Sequence, residues 1–497
     1  MPLQITAYGG NREIGGNKIL VSTGEGGVFL DFGKSYATED RYFEIPWNPP
    51  YHIPSLLGIG ALPDIAGLYR HDPGEHRYAV VVSHPHLDHV GYVPLLAPGT
   101  PVVTGVDTKN LLDIRLETGQ QGWDTQVGHL DWRLLRTGDA FEMPEADLRV
   151  WPVHVDHSVP ASYGFIVEAG GKRVAYTGDI RMHGARPDLS EDFLARLAEK
   201  PVDVLLCEGT RVRPPEGDPD IEFLKGMSEA FRVRMGEEAP RAVEVPCASE
   251  TEVRDALERE MKASQGLVLI EVSPLDIDRM RSVWQAALSA RRRVVLPSRQ
   301  AYLLQQATLR TAIGQLPPLY GSALLLSQRR KRRNDLQPGE PEDAEEFTKW
   351  REKWEQQLVD DWRHNGGDVY WGLEGRAELR TNPARYVVVS PQCVGILPEL
   401  AYRAAPCPVT FVLSKSEAFT EEMLISFDRL LHWLRLFGCD EYKLIHVSGH
   451  ASPEDLQRLV AAASPGVLVP VHTRFPELMA PWHDRVVIPD ADGRVAL

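Results

Sequence analysis

The segment VVVSHPHLDHVGY, residues 80–92, places three histidines and one aspartate within six positions directly after a run of valines. His84 and His86 are two residues apart, so they share one face of an extended segment. Asp88 and His89 follow where the strand gives way to a turn, and they can point elsewhere. Imidazole and carboxylate groups suit zinc and, less commonly, manganese. The segment therefore predicts a dinuclear metal site with two ligand groups on one loop; the alternative is a surface loop rich in histidine by chance.

The rest of the chain contains regions with two different patterns of secondary structure. The first 180 residues contain short β segments separated by glycine-rich turns, and amphipathic helices become frequent after about residue 190. In the middle of the chain, helices alternate with the strand-like segments LVLIEVSP, RRVVLPS and YVVVSP, which predicts a second α/β unit with parallel pairing. The C-terminal segment returns to the pattern of the first 180 residues. We therefore expect one domain interrupted by another, with boundaries at 1–210, 211–415 and 416–497.

A strongly charged stretch, residues 329–365, lies inside the middle region. It runs from the basic cluster RRKRR through a Pro/Gly segment into a charged helix. The composition is typical of a solvated insertion, and contact of Arg329 to Arg333 with phosphate groups is the alternative.

Composition limits the class of protein. A chain of 497 residues with 43 % hydrophobic and 25 % charged residues is typical of a soluble protein of two or more domains. No apolar run is long enough to span a bilayer and no secretory signal is apparent, so we expect no membrane association. Five scattered cysteines without a CxxC pair indicate a reducing cytoplasm. The net charge of −16 disfavours a simple nucleic-acid-binding surface without excluding a locally basic cleft.

The order HxHxDH after a valine-rich strand resembles the signature of the metallo-β-lactamase superfamily, and further motifs match that family. Asp31 in VFLDFG stands where the family has a strand-end aspartate that contacts the metal-binding loop without binding the metal itself. The resemblance implies an αββα sandwich and a set of seven ligands. His84, His86 and His157 (in VDHSVP) would bind one ion, and Asp179 (in AYTGDIR) would bridge to the second ion, held by Asp88, His89 and His472 (in LVPVHT).

Two other histidines lie close to these motifs. His154 is three residues before His157 and is the alternative ligand for the first ion. His183 in DIRMHG is expected beside the ligands or facing substrate instead of binding an ion.

The gap between Asp179 and His472 is about 300 residues, and a long α/β insertion at this point resembles the β-CASP nucleases. Glu208 in VDVLLCEGT and His450 in IHVSGHAS match two further motifs of that group. The start GGNREIGGNKILV and the segment IHVSGHASPEDLQRLV resemble ribonuclease J. Ribonuclease J proteins usually carry a further C-terminal domain, whereas this sequence ends 25 residues after His472. Two segments, DIRMHG and CEGTR, resemble other β-CASP hydrolases more closely than they resemble ribonuclease J.

The resemblance implies a metal-dependent phosphodiesterase that hydrolyses single-stranded RNA, from an end or internally, with a hydroxide activated by two divalent cations. Zinc is expected, and manganese is the alternative. Asp88, His450 and Glu208 would be catalytic, with His450 protonating the leaving oxygen and Glu208 assisting it. A DNA nuclease of the repair type, a hydrolase of small esters or thioesters, and a catalytically silent subunit stay open as alternatives, as does a homodimer.

Candidate contacts to substrate phosphates fall in two regions. Ser452 before Pro453 predicts a helix that begins directly after His450, and its free N–H groups suit a phosphate. In the inserted domain, a strand end and a helix offer hydroxyl and guanidinium groups, for which an ordinary surface salt bridge is the alternative reading. The candidates are Ser448, Gly449, Ser452, Arg279, Ser298 and Arg299.

Overall fold

The computed structural model describes most of the chain. The described residues are 2–24, 26–44, 48–75, 77–119, 123–234, 238–312, 319–326, 352–370, 372–400, 407–416 and 421–497. The basic cluster Arg329 to Arg333 lies outside them, so its predicted role stays a prediction. Within the described part of the chain, no helix combines the length and the apolar character needed to cross a membrane.

The chain divides into two compact units. The first comprises Met1–Asp218 and Gly449–Leu497, and the second comprises Pro219–Ser448. The second boundary lies later than the sequence predicted, because the helix Glu421–Leu436 and the strand Glu441–Leu444 belong to the second unit. That strand pairs in parallel with Arg241–Glu244 and Val409–Leu413, so it completes the sheet of the second unit.

The first unit contains two six-stranded sheets. The order across the first sheet is Leu3–Ala7, Ile19–Thr23, Gly26–Leu30, Tyr78–Val81, Pro101–Gly105 and Asp131–Leu135. Its first three strands are antiparallel, and the later neighbours pair in parallel. The order across the second sheet is Val467–Val471, Val204–Glu208, Lys172–Tyr176, Ser162–Ala169, Leu148–Val155 and Phe141–Met143. The last strand of the chain therefore joins this sheet beside a strand about 260 residues earlier.

The two sheets pack face to face because each presents a row of apolar side chains to the other. Val21, Val81, Phe165 and Val469 lie in this shared core. The outer face of the second sheet is covered by the apolar sides of two helices. The helices of the unit are Tyr36–Glu39, Ile53–Gly58, Leu87–Val90, Val106–Thr118, Pro187–Glu199 and Pro453–Ala463, with 3-10 segments Val93–Leu95, Pro144–Ala146 and Pro476–Trp482 and a two-stranded ribbon of Leu68–Tyr69 and Asp72–Pro73.

The second unit is built on one eight-stranded sheet in which every neighbouring pair is parallel. Its order is Arg241–Glu244, Glu441–Leu444, Val409–Leu413, Leu267–Glu271, Tyr386–Ser390, Arg293–Pro297, Ala323–Leu325 and Asp368–Tyr370. The central strands are buried along their whole length, as parallel strands covered on both faces require.

Helices connect these parallel strands. They are Pro219–Arg234, Glu250–Ala263, Ile277–Ser289, Ser298–Arg310, Lys353–His364, Gly372–Thr381, Leu397–Leu400 and Glu421–Leu436, with 3-10 segments Leu319–Gly321, Pro383–Arg385 and Cys393–Gly395. Ser249 caps the second helix by accepting a hydrogen bond from the Glu252 N–H at 3.3 Å, as the capping-box spacing predicts. The predicted fold class, an α/β sandwich interrupted by a second α/β unit, is confirmed.

Candidate metal centre

The predicted ligands stand directly after strands of the first unit. His84, His157, Asp179 and His472 follow the ends of four different strands by one to three residues. Of the three remaining ligands, Asp88 and His89 lie on the short helix Leu87–Val90, and His86 is the residue directly before it. Side chains close to strand ends are positioned more precisely than side chains on long loops.

The first group of ligands consists of His84, His86, His157 and Asp179, whose donor atoms all lie within 4.8 Å of one another. His84 Nε2 lies 2.9 Å from His86 Nδ1. Asp179 Oδ2 lies 3.6 Å from His84 Nε2 and 3.8 Å from His157 Nε2. The structure thus brings together the three histidines that the resemblance implied for one ion.

The second group consists of Asp88, His89 and His472, also within 4.8 Å of one another. Asp88 Oδ2 lies 3.6 Å from His89 Nε2 and 3.3 Å from His472 Nε2. Asp179 reaches this group as well, with Oδ2 at 3.2 Å from His89 Nε2 and Oδ1 at 3.9 Å from His472 Nε2. The carboxylate of Asp179 therefore lies between the two groups, where a bridging ligand would stand.

Four of the histidines are oriented by a hydrogen bond to their second ring nitrogen. Such a partner fixes the ring and leaves the other nitrogen aimed at a metal ion. The pairs are His84 Nδ1 with Ser83 Oγ at 2.9 Å, His89 Nδ1 with Asp31 Oδ2 at 2.7 Å, His157 Nδ1 with Gly449 O at 2.6 Å, and His472 Nδ1 with Thr210 Oγ1 at 2.7 Å. In each of the four rings, Nε2 is the nitrogen directed at the centre.

Asp31 supports the metal loop through several contacts. Its Oδ1 accepts the Ser83 N–H at 2.7 Å. Its Oδ2 accepts the Ser83 hydroxyl at 2.8 Å and the Tyr176 hydroxyl at 2.7 Å, besides its contact with His89. The structure thus places Asp31 behind the ligands, in contact with His89 and with the residue that orients His84.

Two residues of this centre have a strained backbone. Asp31 has φ 60° and His472 has φ 53°, a left-handed backbone conformation that residues other than glycine rarely adopt. Each is held by a main-chain hydrogen bond, from Asp31 N to Val81 O at 2.8 Å and from His472 N to Gly10 O at 2.7 Å. Strain of this kind costs about 1–3 kcal/mol per residue and concentrates at functional sites.

The donor set fits a pair of divalent cations. His89 Nε2 and Asp179 Oδ1 are buried without a hydrogen-bond partner among the described residues, a costly state that a bound cation would relieve. Burial lowers the pKa of His84 and His157 well below the usual range and that of His86 to about 4. These imidazoles are therefore neutral, as metal coordination requires.

The pKa of His89 reflects the excess of negative charge in the centre. Burial lowers the pKa of this imidazole, but the carboxylates of Asp179, Asp88 and Asp31 outweigh it and raise the pKa well above the usual range. Metal ions would satisfy the same carboxylates and leave His89 neutral. The first unit therefore contains a cation-attracting centre with two groups of nitrogen and oxygen donors.

A third group contains Asp179, Glu208 and His450. His450 Nδ1 lies 3.0 Å from Glu208 Oε2, 3.2 Å from Glu208 Oε1 and 3.9 Å from Asp179 Oδ2. Burial lowers the pKa of the His450 imidazole, but the carboxylates of Glu208 and Asp179 outweigh this effect and raise the pKa to about 9. The buried carboxylate of Glu208 is itself fixed by Ile180 N at 2.9 Å and by the Thr210 hydroxyl at 2.6 Å.

Thr210 is a residue of the candidate site that the sequence did not indicate. Its hydroxyl lies 2.6 Å from Glu208 Oε2 and 2.7 Å from His472 Nδ1, so it links the Glu208–His450 pair to the second group of ligands. The sequence shows that Thr210 follows Glu208 by two residues. It does not show the contact with His472, which is 262 positions away.

The predicted substrate contacts have varied environments. Arg279 is fully buried, and its guanidinium pairs with the Glu250 carboxylate at 2.8 and 3.1 Å and donates to Ser414 O at 2.6 Å. This placement contradicts the prediction that Arg279 contacts substrate, because its donors are already engaged inside the second unit. Ser298 is also buried and donates to Glu355 Oε1 at 2.6 Å. Arg299 is exposed.

The remaining predicted residues lie at 448–452, where the chain passes from the second unit back into the first. Ser452 caps the helix Pro453–Ala463 by accepting the Asp455 N–H at 3.1 Å, as predicted. Gly449 offers its carbonyl to His157, and an added Cβ there would meet the Ser158 side chain at 2.8 Å. Ser448 is half-buried and is the last residue of the second unit.

Two further histidines lie close to the ligand motifs in sequence. His154 is not in any ligand group of the described residues; its ring stacks on Tyr163 at 5.0 Å. His183 is half-buried in the segment between the strand Lys172–Tyr176 and the helix Pro187–Glu199.

Comparisons with known proteins relate the chain to one superfamily. Residues 59–244 match the β-lactamase superfamily domain. Ribonuclease J of Pyrococcus abyssi is 24 % identical over 486 residues, which cover 95 % of this chain and 90 % of that protein. Ribonuclease J of Mycobacterium tuberculosis is 26 % identical over 297 residues, which cover 59 % of this chain and 44 % of that protein. The chain thus spans less than half the length of this second relative.

A solved structure shares the fold over nearly the whole chain. The crystal structure of a protein of unknown function from Enterococcus faecalis V583 aligns with a TM-score of 0.66 and 20 % identity, covering 99 % of this chain and 100 % of that chain. The sandwich, the ligand groups and the matched domain define a metallo-β-lactamase-fold protein, a class whose fold implies divalent metal ions. Within that class, the chain is similar in sequence to ribonuclease J proteins of bacteria and archaea.

Proposed function

We propose that the protein is a metal-dependent hydrolase of phosphodiester bonds that cleaves single-stranded RNA, in the manner of ribonuclease J. The observation that carries the proposal is the Glu208–His450 pair, joined at 3.0 Å directly beside Asp179 and the two ligand groups. A dinuclear centre alone serves many hydrolases of this fold. A buried carboxylate–imidazole pair next to it adds the proton donor that an alkoxide leaving group requires.

The metal ions proposed are two zinc ions, with manganese as the alternative. His84, His86 and His157 would hold one ion, Asp88, His89 and His472 the other, and Asp179 would bridge them. When bound, a pair of divalent ions supplies charge neutralisation at the phosphoryl oxygens and a water acidified to a pKa near about 7.

The side chains of this chain account for the proton movements. In the proposed reaction the water oxygen bonds to phosphorus as the phosphorus–oxygen bond to the leaving nucleoside breaks. Asp88, whose side chain is 23 % exposed, accepts the proton that the water gives up. His450 donates a proton to the leaving oxygen, and Glu208 keeps the imidazole oriented for this transfer. Thr210 and the Ile180 N–H hold the Glu208 carboxylate in place.

Two further points support RNA as the substrate class. The relatives that cover most of this chain are named ribonuclease J. The helix Pro453–Ala463 begins three residues after His450, so the positive end of its dipole lies near the proposed proton donor and favours an anionic substrate. We place the activity in the cytoplasm and leave association as a homodimer to be tested by light scattering.

The test is digestion of matched single-stranded RNA and DNA, each with a 5′-monophosphate or a 5′-triphosphate, in the presence of zinc or manganese. We expect cleavage of RNA by the wild-type protein and none by Asp88→Ala. Intact RNA together with cut DNA would identify a DNA nuclease. Intact nucleic acids together with turnover of an ester or thioester would identify a small-molecule hydrolase, and either result would overturn the proposal.

A further inference from the structure

Two guanidinium groups lie against the loops that carry the ligands. Arg115, on the helix Val106–Thr118, donates from Nη1 to the carbonyl oxygen of Pro85 at 3.3 Å, and Pro85 stands between His84 and His86. Arg211 donates from Nη1 to the carbonyl oxygen of His450 at 3.4 Å. One arginine thus contacts the loop of the first ligand group, and the other contacts the residue that pairs with Glu208.

Neither arginine forms an ion pair within the described part of the chain. Other arginines of the same unit do so: Arg181 pairs with Asp156 at 3.1 Å, and Arg474 pairs with Asp218 at 2.5 Å. Burial lowers the pKa of both guanidinium groups; Tyr36 and Asp88 oppose this shift at Arg115, and Glu208, Glu454 and Asp455 oppose it at Arg211. Each keeps most of its five N–H donors for another acceptor.

Arg211 is exposed and Arg115 is half-buried, so each residue retains surface that a ligand can reach. A partly buried cation without a carboxylate partner is costly, and a bound anion would offset that cost. The planar guanidinium matches two oxygens of a phosphate group, whereas a small neutral ester offers no charge for it.

We propose that Arg115 and Arg211 bind two different phosphate groups of the substrate, the neighbours of the phosphate at which cleavage occurs. This inference rests on the proposed function and deepens it. The substrate is then a polyanion with several consecutive phosphates, and a mononucleotide ester or a small acyl compound leaves both arginines without a partner.

The experiment measures binding of a fluorescent single-stranded 12-mer RNA to zinc-loaded protein by anisotropy over a range of KCl concentrations. All variants carry His450→Gln, which keeps the seven metal ligands and slows cleavage. Arg115→Gln, Arg211→Gln and the double variant are compared with Arg133→Gln, the matched control. Arg133 is an exposed arginine of the first sheet whose Nη2 pairs with Asp131 at 2.6 Å.

Loss of one phosphate contact on a single strand lowers the slope of log Kd against log salt by about 0.7. We expect this change in each single variant, about twice that in the double variant, and a roughly tenfold weaker Kd in each single variant. Arg133→Gln should bind like its parent. Arg115→Lys and Arg211→Lys should restore the salt slope, because they keep the charge, and unchanged thermal unfolding of the glutamine variants excludes misfolding.

The outcomes separate the two proposals. Unchanged Kd and salt slope in both arginine variants of a protein that cleaves RNA overturns this inference and leaves the proposed function intact. A parent protein that neither binds nor cleaves RNA or DNA overturns both. A salt slope that falls in the glutamine variants and is not restored by lysine also overturns the inference, because the effect then does not come from the charge at that position.

Discussion

Asp88 Oδ2 and His472 Nε2 lie 3.3 Å apart although 384 positions separate them in the chain. The contact follows from one pairing in the second sheet. Val467–Val471 lies parallel to Val204–Glu208, and His472 comes directly after the first of these strands. The whole second unit lies between the two strands in sequence, so the metal centre is complete only when the end of the chain joins the sandwich.

The first prediction concerns metal content. We expect the wild-type protein to bind about two divalent ions per chain and His157→Gln about one, because His157 is one of three imidazoles in the first group. The measurement is elemental analysis after dialysis. His154→Gln is the control, since His154 is outside the ligand groups of the described residues and was the alternative ligand. Loss of an ion in this control instead of in His157→Gln would reverse the assignment.

The second prediction concerns Thr210. Thr210→Val keeps the side-chain shape but removes the hydroxyl that contacts both Glu208 and His472. We expect metal affinity to fall roughly 10- to 100-fold, as for other residues that orient a metal-binding imidazole. Competition with a chelating dye measures this affinity. Thr210→Ser keeps the hydroxyl and should behave like the wild type, and equal affinity in the valine variant would contradict the linking role.

The third prediction concerns the carboxylate–imidazole pair. His450→Gln should lower kcat by about 10²- to 10⁴-fold, the usual contribution of a positioned proton donor, while metal content is unchanged. Glu208→Gln should show a loss of similar size. Because the two residues act as a unit, the double variant should be scarcely slower than either single variant. Fully multiplicative losses in single-turnover rates would mean that the two residues act independently.

The fourth prediction separates Arg279 from Arg299. Arg279→Met leaves the Glu250 carboxylate buried without its partner, so we expect the free energy of unfolding to fall by about 3–5 kcal/mol. Arg299→Met changes an exposed residue and should leave stability nearly unaltered. Urea unfolding followed by circular dichroism measures both. Equal stability of the two variants would show that the buried ion pair does not stabilise the second unit.

The fifth prediction concerns Lys18, a fully buried lysine that donates to Gly16 O at 2.6 Å and Gly33 O at 3.1 Å. Burial lowers its pKa from 10.5 to about 8, although Glu13 and Glu39 oppose the shift. Between these two values the unfolded chain binds the proton and the folded chain does not, so the free energy of unfolding rises as pH rises.

Lys18→Met removes this titration. The difference in unfolding free energy, wild type minus variant, should therefore increase by roughly 2 kcal/mol between pH 8 and pH 9.5. Comparison with the variant cancels the contributions of groups that titrate in both proteins. A difference that stays constant with pH would show that Lys18 has an ordinary pKa in the folded protein.

Much of the metal centre could be predicted from the sequence because its ligands occur in short local patterns. The spacing of His84, His86, Asp88 and His89 fixes which of them are neighbours, whatever the rest of the chain does. The family resemblance then supplied His157, Asp179 and His472, and the structure brings all seven side chains together. The alternation of strands and helices likewise predicted both α/β units, because hydrophobic periodicity is a local property.

The sequence alone thus determined the class of fold, the ligand types and the long insertion between the last two ligands. Only the tertiary structure decided that Thr210 contacts His472, that Arg279 is enclosed by Glu250 and Ser414, and that Arg115 lies against Pro85. The physical reason is that residue types and spacing fix local conformation. Burial and contacts between distant residues depend instead on which strands pair and which faces pack, and these are properties of the folded chain as a whole.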